Sequence, residues 1–198
     1  MAFGEVVGEL LPLAVGVAVS PVPVHAVLAM APERAGGFRI GWVVGSLAVL
    51  SVCATVRVPA VSWVKIVLGV VLLVLSALQW RRHQAVDDPP VLPKWTRGLD
   101  AVGAVKATAL GVALVVLTPK NLVLLVAGGL VLGAADLGFV QDAVAVLVFV
   151  VVAAPTVVIP ADRYGDVERT RAWLVRDHAS ITAVLLLVLG VVLIGRGF

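Results

Sequence analysis

Two proline-containing stretches, "AVSPVPVHAV" (residues 18–27) and "VLTPKNLVLL" (residues 116–125), interrupt two of the longest apolar runs of the chain. In each stretch a hydroxyl residue precedes the first proline, as Ser20-Pro21 and as Thr118-Pro119. Proline lacks a backbone donor and clashes with the carbonyl four residues earlier, so a helix kinks or breaks there. A hydroxyl N-cap followed by proline is also a typical helix start. We therefore predict that a half-helix begins at each pair.

The composition indicates the solvent in which the chain folds. Hydrophobic residues make up 61% of the 198 residues, charged residues make up 14%, and the mean hydropathy is +1.12. These values lie far outside the range of soluble domains, and the apolar runs are long enough to cross a hydrocarbon core of about 30 Å. We predict an all-α integral membrane protein with six transmembrane helices, at about residues 5–32, 38–56, 60–79, 103–133, 137–159 and 179–197.

The basic residues are divided unequally between the two sides of this topology. Eleven lie on the side of the three long charged loops, and three lie on the opposite side. Because short cytoplasmic loops are enriched in Lys and Arg, the charged loops are expected in the cytoplasm. The prediction is a multi-pass protein of the plasma membrane with both termini outside.

The chain also reads as two related halves. The two hydroxyl-proline pairs lie 98 positions apart (118 − 20), and this register also aligns the second span with the fifth. Three helices per half is an odd number, so consecutive halves insert with opposite orientation, as in many secondary transporters. We predict a first three-helix repeat at 1–80, a cytoplasmic loop at 81–102 and a second repeat at 103–198, all in a single membrane domain.

The candidate binding site consists of the residues at the two predicted breaks. Helix N-termini present unpaired N–H groups and a positive dipole end, which favour an anion. Lys120 would be the second residue of its half-helix and Asn121 the third. A lysine at bilayer depth costs about 2.5–3.5 kcal/mol on insertion scales, and such residues usually line a pathway. The predicted substrate-binding residues are Ser20, Pro21, Pro23, Thr118, Pro119, Lys120 and Asn121.

Two titratable residues are candidates for proton coupling or gating. His25 lies five residues beyond Ser20, and Asp142 lies about six residues into the fifth predicted span. A structural alternative stays open for Lys120, either an ion pair with Asp142 or snorkelling to the interface. For His25 the alternative is a hydrogen bond to a neighbour. Glu9 is interpreted as an outer-interface residue, and Lys65 is expected to snorkel outward.

Several classes of function find no support in the sequence. The motifs H-E-x-x-H and G-x-S-x-G are absent, and so is a nucleotide-binding loop of the G-x-x-x-x-G-K-[ST] type. The single cysteine, Cys53, excludes an internal disulfide. We expect no enzyme activity, no metal or other cofactor and no nucleic-acid partner. Glycines at four-residue spacing, such as Gly41 and Gly45, indicate close helix packing and leave a homodimer open.

The pairing of "LLPLAVGVAVSPVPVHAVLAM" (10–30) with "GVALVVLTPKNLVLLVAGG" (111–129) resembles the actinobacterial GAP and sulfolipid-addressing protein family. This family belongs to the wider LysE exporter superfamily. The resemblance covers essentially the whole chain, and its most specific residues are 20–23 and 118–121. His25 departs from it, since an aliphatic residue is expected there in many relatives. The resemblance implies export of envelope glycolipids or their precursors, or of amino acids and similar small solutes.

Three functions are therefore carried forward from the sequence. The first is a secondary transporter or flippase-like exporter of an anionic (glyco)lipid or lipid-linked precursor. The second is a LysE-like exporter of amino acids or small organic anions. The third is a non-transporting scaffold that works with the partner proteins of a lipid export machine. Their ligands would be an anionic lipid or a small anionic solute.

Overall fold

The computed structural model describes residues 2–30, 32–56, 61–84, 98–99, 102–158 and 178–195, and these residues contain helices and no strand. The predicted all-α class is therefore confirmed for this part of the chain. The helices are α1 (Phe3–Ala18), α2 (Pro21–Ala29), α3 (Pro32–Thr55), α4 (Val61–Gln84), α5 (Ala104–Leu117), α6 (Pro119–Ala135), α7 (Phe139–Ala153), α8 (Pro155–Val158) and α9 (His178–Gly195).

The helix boundaries differ from the prediction at charged segments. α3 begins at Pro32, six residues before the predicted start, so most of the "APERAGGFR" segment is helical. Proline suits the first position of a helix. α4 continues to Gln84 through Arg81, because a basic residue is favoured near a helix C-terminus. The rest of the 81–102 loop and the 161–177 segment lie almost entirely outside the described residues.

Prolines divide the predicted spans into shorter helices. The predicted span 5–32 consists of α1 and α2, and the span 103–133 consists of α5 and α6 with a bend of 77° between them. A third break, at Ala154-Pro155, separates α7 from α8 and was not predicted. Its signal is weaker because no hydroxyl residue precedes the proline.

By length and hydropathy, two described helices can cross a membrane, Arg34–Thr55 and Trp63–Arg81. The bent pair α5 and α6 makes a third if it is one span, and Phe139–Ala153 and Ile181–Gly195 are shorter apolar helices. Six complete spans are thus not established by length alone. Many large apolar side chains are exposed along α4 and α9. A surface of this kind fits lipid, so the chain is a helical membrane protein.

Glycines show how α5 and α6 lie against α3. A Cβ atom at Gly37 would stand 2.8 Å from the Ala104 carbonyl, and one at Gly41 would overlap the Thr108 carbonyl. Farther along α3, Gly45 meets Val112, and the Leu50–Ala54 turn then meets Gly129 and Gly133 of α6. Residue numbers thus increase together along α3 and along the α5–α6 pair from one contact to the next. α5 and α6 therefore follow α3 in a roughly parallel sense, despite the bend.

Two other helix pairs run antiparallel. On α4 and α9, Gly69 faces Gly190, and the Ser76 hydroxyl donates to the Ala183 carbonyl at 2.6 Å. A step of seven residues forward on α4 is thus a step of seven backward on α9. α1 and α6 are arranged likewise, since Leu10 lies near Gly128 whereas Gly16 lies near Leu124. Further contacts, of α4 with α6 and of α1 with α9, join these two pairs into one bundle.

Candidate functional site

The two hydroxyl-proline pairs break their helices as predicted. α1 ends at Ala18 and α2 begins at Pro21, with Ser20 at the N-cap position. α5 ends at Leu117 and α6 begins at Pro119, with Thr118 at the N-cap position. In neither case does the hydroxyl make the expected capping hydrogen bond. The backbone features of proline, rather than a side-chain cap, therefore account for the breaks.

Lys120 is buried at the start of α6 and binds the end of α1. Its side chain is 8% exposed, and its Nζ donates to the Gly16 carbonyl at 3.0 Å and to the Val19 carbonyl. The last carbonyls of a helix have no partner within the helix, and they form its negative end. Lys120 neutralises that end of α1. The negative group beside this lysine in the structure is thus the C-terminal end of α1.

A second side chain completes the cap on α1. The Thr156 hydroxyl, from the first turn of α8, donates to the Ala18 carbonyl at 2.8 Å. Both capping side chains come from the second half of the chain, whereas the capped helix belongs to the first. The break after α1 is therefore stabilised across the two halves.

A cavity of 280 Å³ lies where both breaks meet. We call it the polar cavity; its walls come from the α1–α2 and α5–α6 breaks and from α4 and α9. Its polar members are Ser20, Gln79, Thr118, Lys120 and Thr182, and the remaining members are Val22, Leu75, Leu78, Pro119 and Leu186. The structure thus brings together two sequence segments that lie 98 positions apart.

Two buried polar side chains at the breaks have no hydrogen-bond partner among the described residues. Ser20 is 3% exposed and its Oγ is unpaired; Asn121 is fully buried, and both polar atoms of its amide are unpaired. A buried polar atom without a partner costs about 1–3 kcal/mol, and such atoms are normally satisfied by water or by a ligand. Ser20 belongs to the wall of the polar cavity.

The polar cavity includes four of the seven predicted binding residues, namely Ser20, Thr118, Pro119 and Lys120. Pro21 begins α2. Within the described part of the chain, Pro23 and Asn121 are buried beside the breaks but do not belong to the cavity wall. Two further wall residues, Gln79 and Thr182, were not predicted. Each is a polar residue in an apolar helix, as Lys120 is, but neither lies beside a predicted helix break.

Asp142 lies away from the polar cavity. It lines a separate space of 520 Å³ between α3, α6 and α7, together with Ser51 and Phe139. Its Oδ1 is buried without a hydrogen-bond partner in the described structure. The alternative of a Lys120–Asp142 ion pair is therefore not the arrangement found, because Lys120 is directed to the end of α1. His25 is buried in α2, one turn beyond Pro21.

Glu9 and Lys65 form a contact that the sequence did not predict. The Lys65 Nζ lies 3.5 Å from Glu9 Oε2, and both side chains are largely buried. A carboxylate on α1 thus lies within reach of Lys65 on α4, whereas the outward snorkelling of Lys65 stays a prediction. The pair borders a small space between α1, α4, α6 and α9.

A helical membrane protein with proline-broken helices around a buried polar cavity is the class that these features define. Residues 10–198 match the family described as "Sap, sulfolipid-1-addressing protein", and the chain belongs to this family. No curated protein and no solved structure matches the chain. The match confirms the sulfolipid-addressing part of the resemblance, whereas kinship with the LysE exporters stays a prediction.

Proposed function

We propose that this protein is a secondary transporter or flippase-like exporter that binds the anionic headgroup of a lipid, or of a lipid-linked precursor, in the polar cavity. One observation carries the proposal: both helix breaks and the buried Lys120 meet at the same polar cavity inside the helix bundle. The description of the family, a sulfolipid-1-addressing protein, supports a lipid as the ligand.

The chemistry of the cavity favours an anion. Two helix N-termini meet there, and each presents backbone N–H groups at its positive end. An ammonium has three donors, of which Lys120 uses two on α1. Ser20 adds a hydroxyl without a partner. At 280 Å³ the cavity is slightly smaller than the usual ligand pocket of roughly 300–1,000 Å³, so it suits a headgroup better than a whole lipid.

The packing of the helices supports six crossings and inverted halves. α3 and α5 are parallel, as a second and a fourth span must be, and α4 and α9 are antiparallel, as a third and a sixth must be. In the 98-residue register, α1 corresponds to α5, α2 to α6 and α3 to α7. The counterpart of the α3–α5 contact is therefore an α7–α1 contact, and the counterpart of the α1–α6 contact is an α5–α2 contact. All four contacts are present. We therefore retain the proposal of alternating access across the plasma membrane, with the charged loops in the cytoplasm.

The contacts of Lys120 suggest how binding and movement are coupled. In this structure the ammonium holds α6 against the end of α1. A headgroup anion in the polar cavity competes with the Gly16 and Val19 carbonyls for the same donors. Binding would weaken the link between α1 and α6, and the two halves would then move relative to each other.

The experiment compares lipids that co-purify with wild-type protein and with two serine variants, using mass spectrometry. Ser20→Ala removes a hydroxyl from the polar cavity without removing a hydrogen bond seen in the structure. Ser46→Ala is the matched control, because Ser46 is equally buried, its Oγ is also unpaired, and it lies in α3 outside the cavity wall. We expect one anionic lipid class to be enriched with the wild type and with Ser46→Ala, and depleted with Ser20→Ala.

Equal lipid profiles for all three proteins, with bulk host lipid only, would overturn the proposal. A small-solute exporter would show such profiles, together with binding of an organic anion that depends on Ser20. The structure also favours the scaffold alternative in one respect, since Lys120 caps a helix. A scaffold predicts that changes at Lys120 reduce stability or assembly and leave lipid enrichment unchanged in the folded fraction.

We further propose Asp142 as the coupling group. Its unpaired Oδ1 borders the space between α3, α6 and α7, and α6 is the helix that carries Lys120. A carboxylate in such a place can gain and lose a proton as α6 moves. In vesicles with an imposed pH gradient, Asp142→Asn should retain lipid binding and lose the response of transport to the gradient. A full response in this variant would exclude the role.

A further inference from the structure

A second recess lies on the outside of the bundle, between α1 and α9. We call it the apolar groove; its volume is 940 Å³, and its walls are formed chiefly by Leu11, Pro12 and Val15 of α1 and by Val184, Leu185 and Val188 of α9. Among the described residues, no charged or hydroxyl side chain belongs to its wall. The groove is thus more than three times as large as the polar cavity and chemically its opposite.

The apolar groove and the polar cavity lie on neighbouring faces of α9, and the groove also borders the residue of α1 that binds Lys120. Val15 is in the groove wall, and the next residue, Gly16, accepts the hydrogen bond from Lys120. On α9, Ile181 is in the groove wall and Thr182 is in the cavity wall; Leu185 and Leu186 are divided in the same way. A molecule that occupies both spaces must be charged or polar at one end and apolar at the other.

The length of the groove fits part of a lipid chain. Residues 8–15 of α1 and 181–189 of α9 span about 10–12 Å at 1.5 Å per residue. This is about a third of a hydrocarbon core of ~30 Å. Each face is open to lipid, since Val15, Val184 and Val188 are all substantially exposed. An acyl chain can therefore enter the groove sideways from the bilayer while the headgroup of the same lipid occupies the polar cavity.

We infer that the apolar groove binds the proximal part of an acyl chain of the lipid whose headgroup occupies the polar cavity. The inference rests on the proposed lipid-export function and assigns its substrate class: an amphipathic lipid held at two adjoining sites rather than a free anion. A second copy of this chain is the alternative occupant. It would offer a helix to the groove and would leave the polar cavity without a matching headgroup.

The test uses photoactivatable lipid in vesicles that contain the full-length protein. The probe is phosphatidylglycerol with a diazirine on its acyl chain, diluted into phosphatidylcholine, and adducts are mapped by peptide mass spectrometry. Val188 and Leu187 are adjacent on α9 and equally exposed, at 51% each, but only Val188 lies in the groove wall. We expect adducts to concentrate on groove residues, to fall several-fold in Val188→Trp, and to persist in Leu187→Trp.

Equal labelling of groove residues and other exposed positions, or no difference between the two tryptophan variants, would overturn the inference. So would a protein that cross-links to a second copy through the groove. A diazirine phosphatidylcholine probe separates this result from the headgroup proposal. If both probes label the groove equally and Ser20→Ala changes neither, the groove binds an acyl chain but the anionic headgroup site fails, and this overturns the two-site inference. If groove labelling is absent while lipid enrichment still depends on Ser20, the headgroup proposal stands and the groove inference fails.

Discussion

The two helix breaks have the same local design but differ in what completes them. Ser20-Pro21 and Thr118-Pro119 each end one helix and begin another. Lys120 follows the second pair, whereas Val22 occupies the position 98 residues earlier. The end of α1 receives hydrogen bonds from Lys120 and Thr156, both from the second half. The break itself is thus present in both halves, while the charge is present in one. Among the described residues, Lys120 alone contributes a cationic side chain to the cavity that the breaks share.

Replacement of Lys120 should produce the largest difference between the two breaks. Lys120→Met removes two charge-assisted hydrogen bonds, each worth about 1.5–3 kcal/mol. We expect the free energy of unfolding, measured by SDS titration in mixed micelles, to fall by roughly 3 kcal/mol or more. Val22→Leu at the equivalent position should cost less than about 1.5 kcal/mol. Similar losses for the two variants would show that Lys120 has no special role in holding α1.

A methyl group at Gly16 should have the next largest effect. A Cβ atom there would lie 2.7 Å from Cδ1 of Leu189 and 2.8 Å from Cδ1 of Leu124. These side-chain ends can shift, so we expect Gly16→Ala to lower the unfolding free energy by about 1–3 kcal/mol. Gly8→Ala on the same helix is the control, since nothing lies within 4 Å of its added methyl. If Gly8→Ala destabilises as much, then crowding at the end of α1 is not the cause.

Removal of the Thr156 hydroxyl tests the second cap on α1. Thr156→Val deletes one neutral hydrogen bond to the Ala18 carbonyl, and we expect a loss of about 1 kcal/mol. The control is Thr55→Val, because the Thr55 hydroxyl is exposed and donates within its own helix, to Val52. Thermal unfolding in detergent, followed by size-exclusion chromatography, ranks the two. A larger loss at Thr55 would contradict a cap shared by the halves.

Ser20→Ala should have the smallest effect on stability. Its Oγ makes no hydrogen bond in the described structure, so the expected change is within about 0.5 kcal/mol. Ser76→Ala, which removes the bond to the Ala183 carbonyl, should cost about 1 kcal/mol. The same thermal measurement applies after the lipid has been removed. A large loss for Ser20→Ala in lipid-free protein would mean that its hydroxyl is structural.

The features that sequence predicted well are those with a local cause. The prolines after Ser20 and Thr118 each interrupt a helix locally, and these two residues, related by the 98-residue register, belong to the wall of the same cavity. The partner of Lys120 had no such signal, because the acceptors are backbone carbonyls that any residue supplies. The role of Gln79 in the cavity wall had no signal either, because Gln79 precedes Trp80 and Arg81 and this sequence is typical of an ordinary span end. The predicted start of α3 is six residues late because charged segments between spans favour loops, whereas here most of the charged segment is helical.

The glycine contacts between α3 and α5 affect the order in which the chain is assembled. The backbone at Gly41 packs against Thr108, so the partner is synthesised 67 residues later (108 − 41). At about 5–20 residues per second, α3 waits roughly 3–13 s for α5 after its own synthesis. During that interval its glycine face is available to other helices in the membrane, including α5 of another nascent copy. The chain is therefore most exposed to domain-swapped mispairing before its fourth predicted span has been inserted.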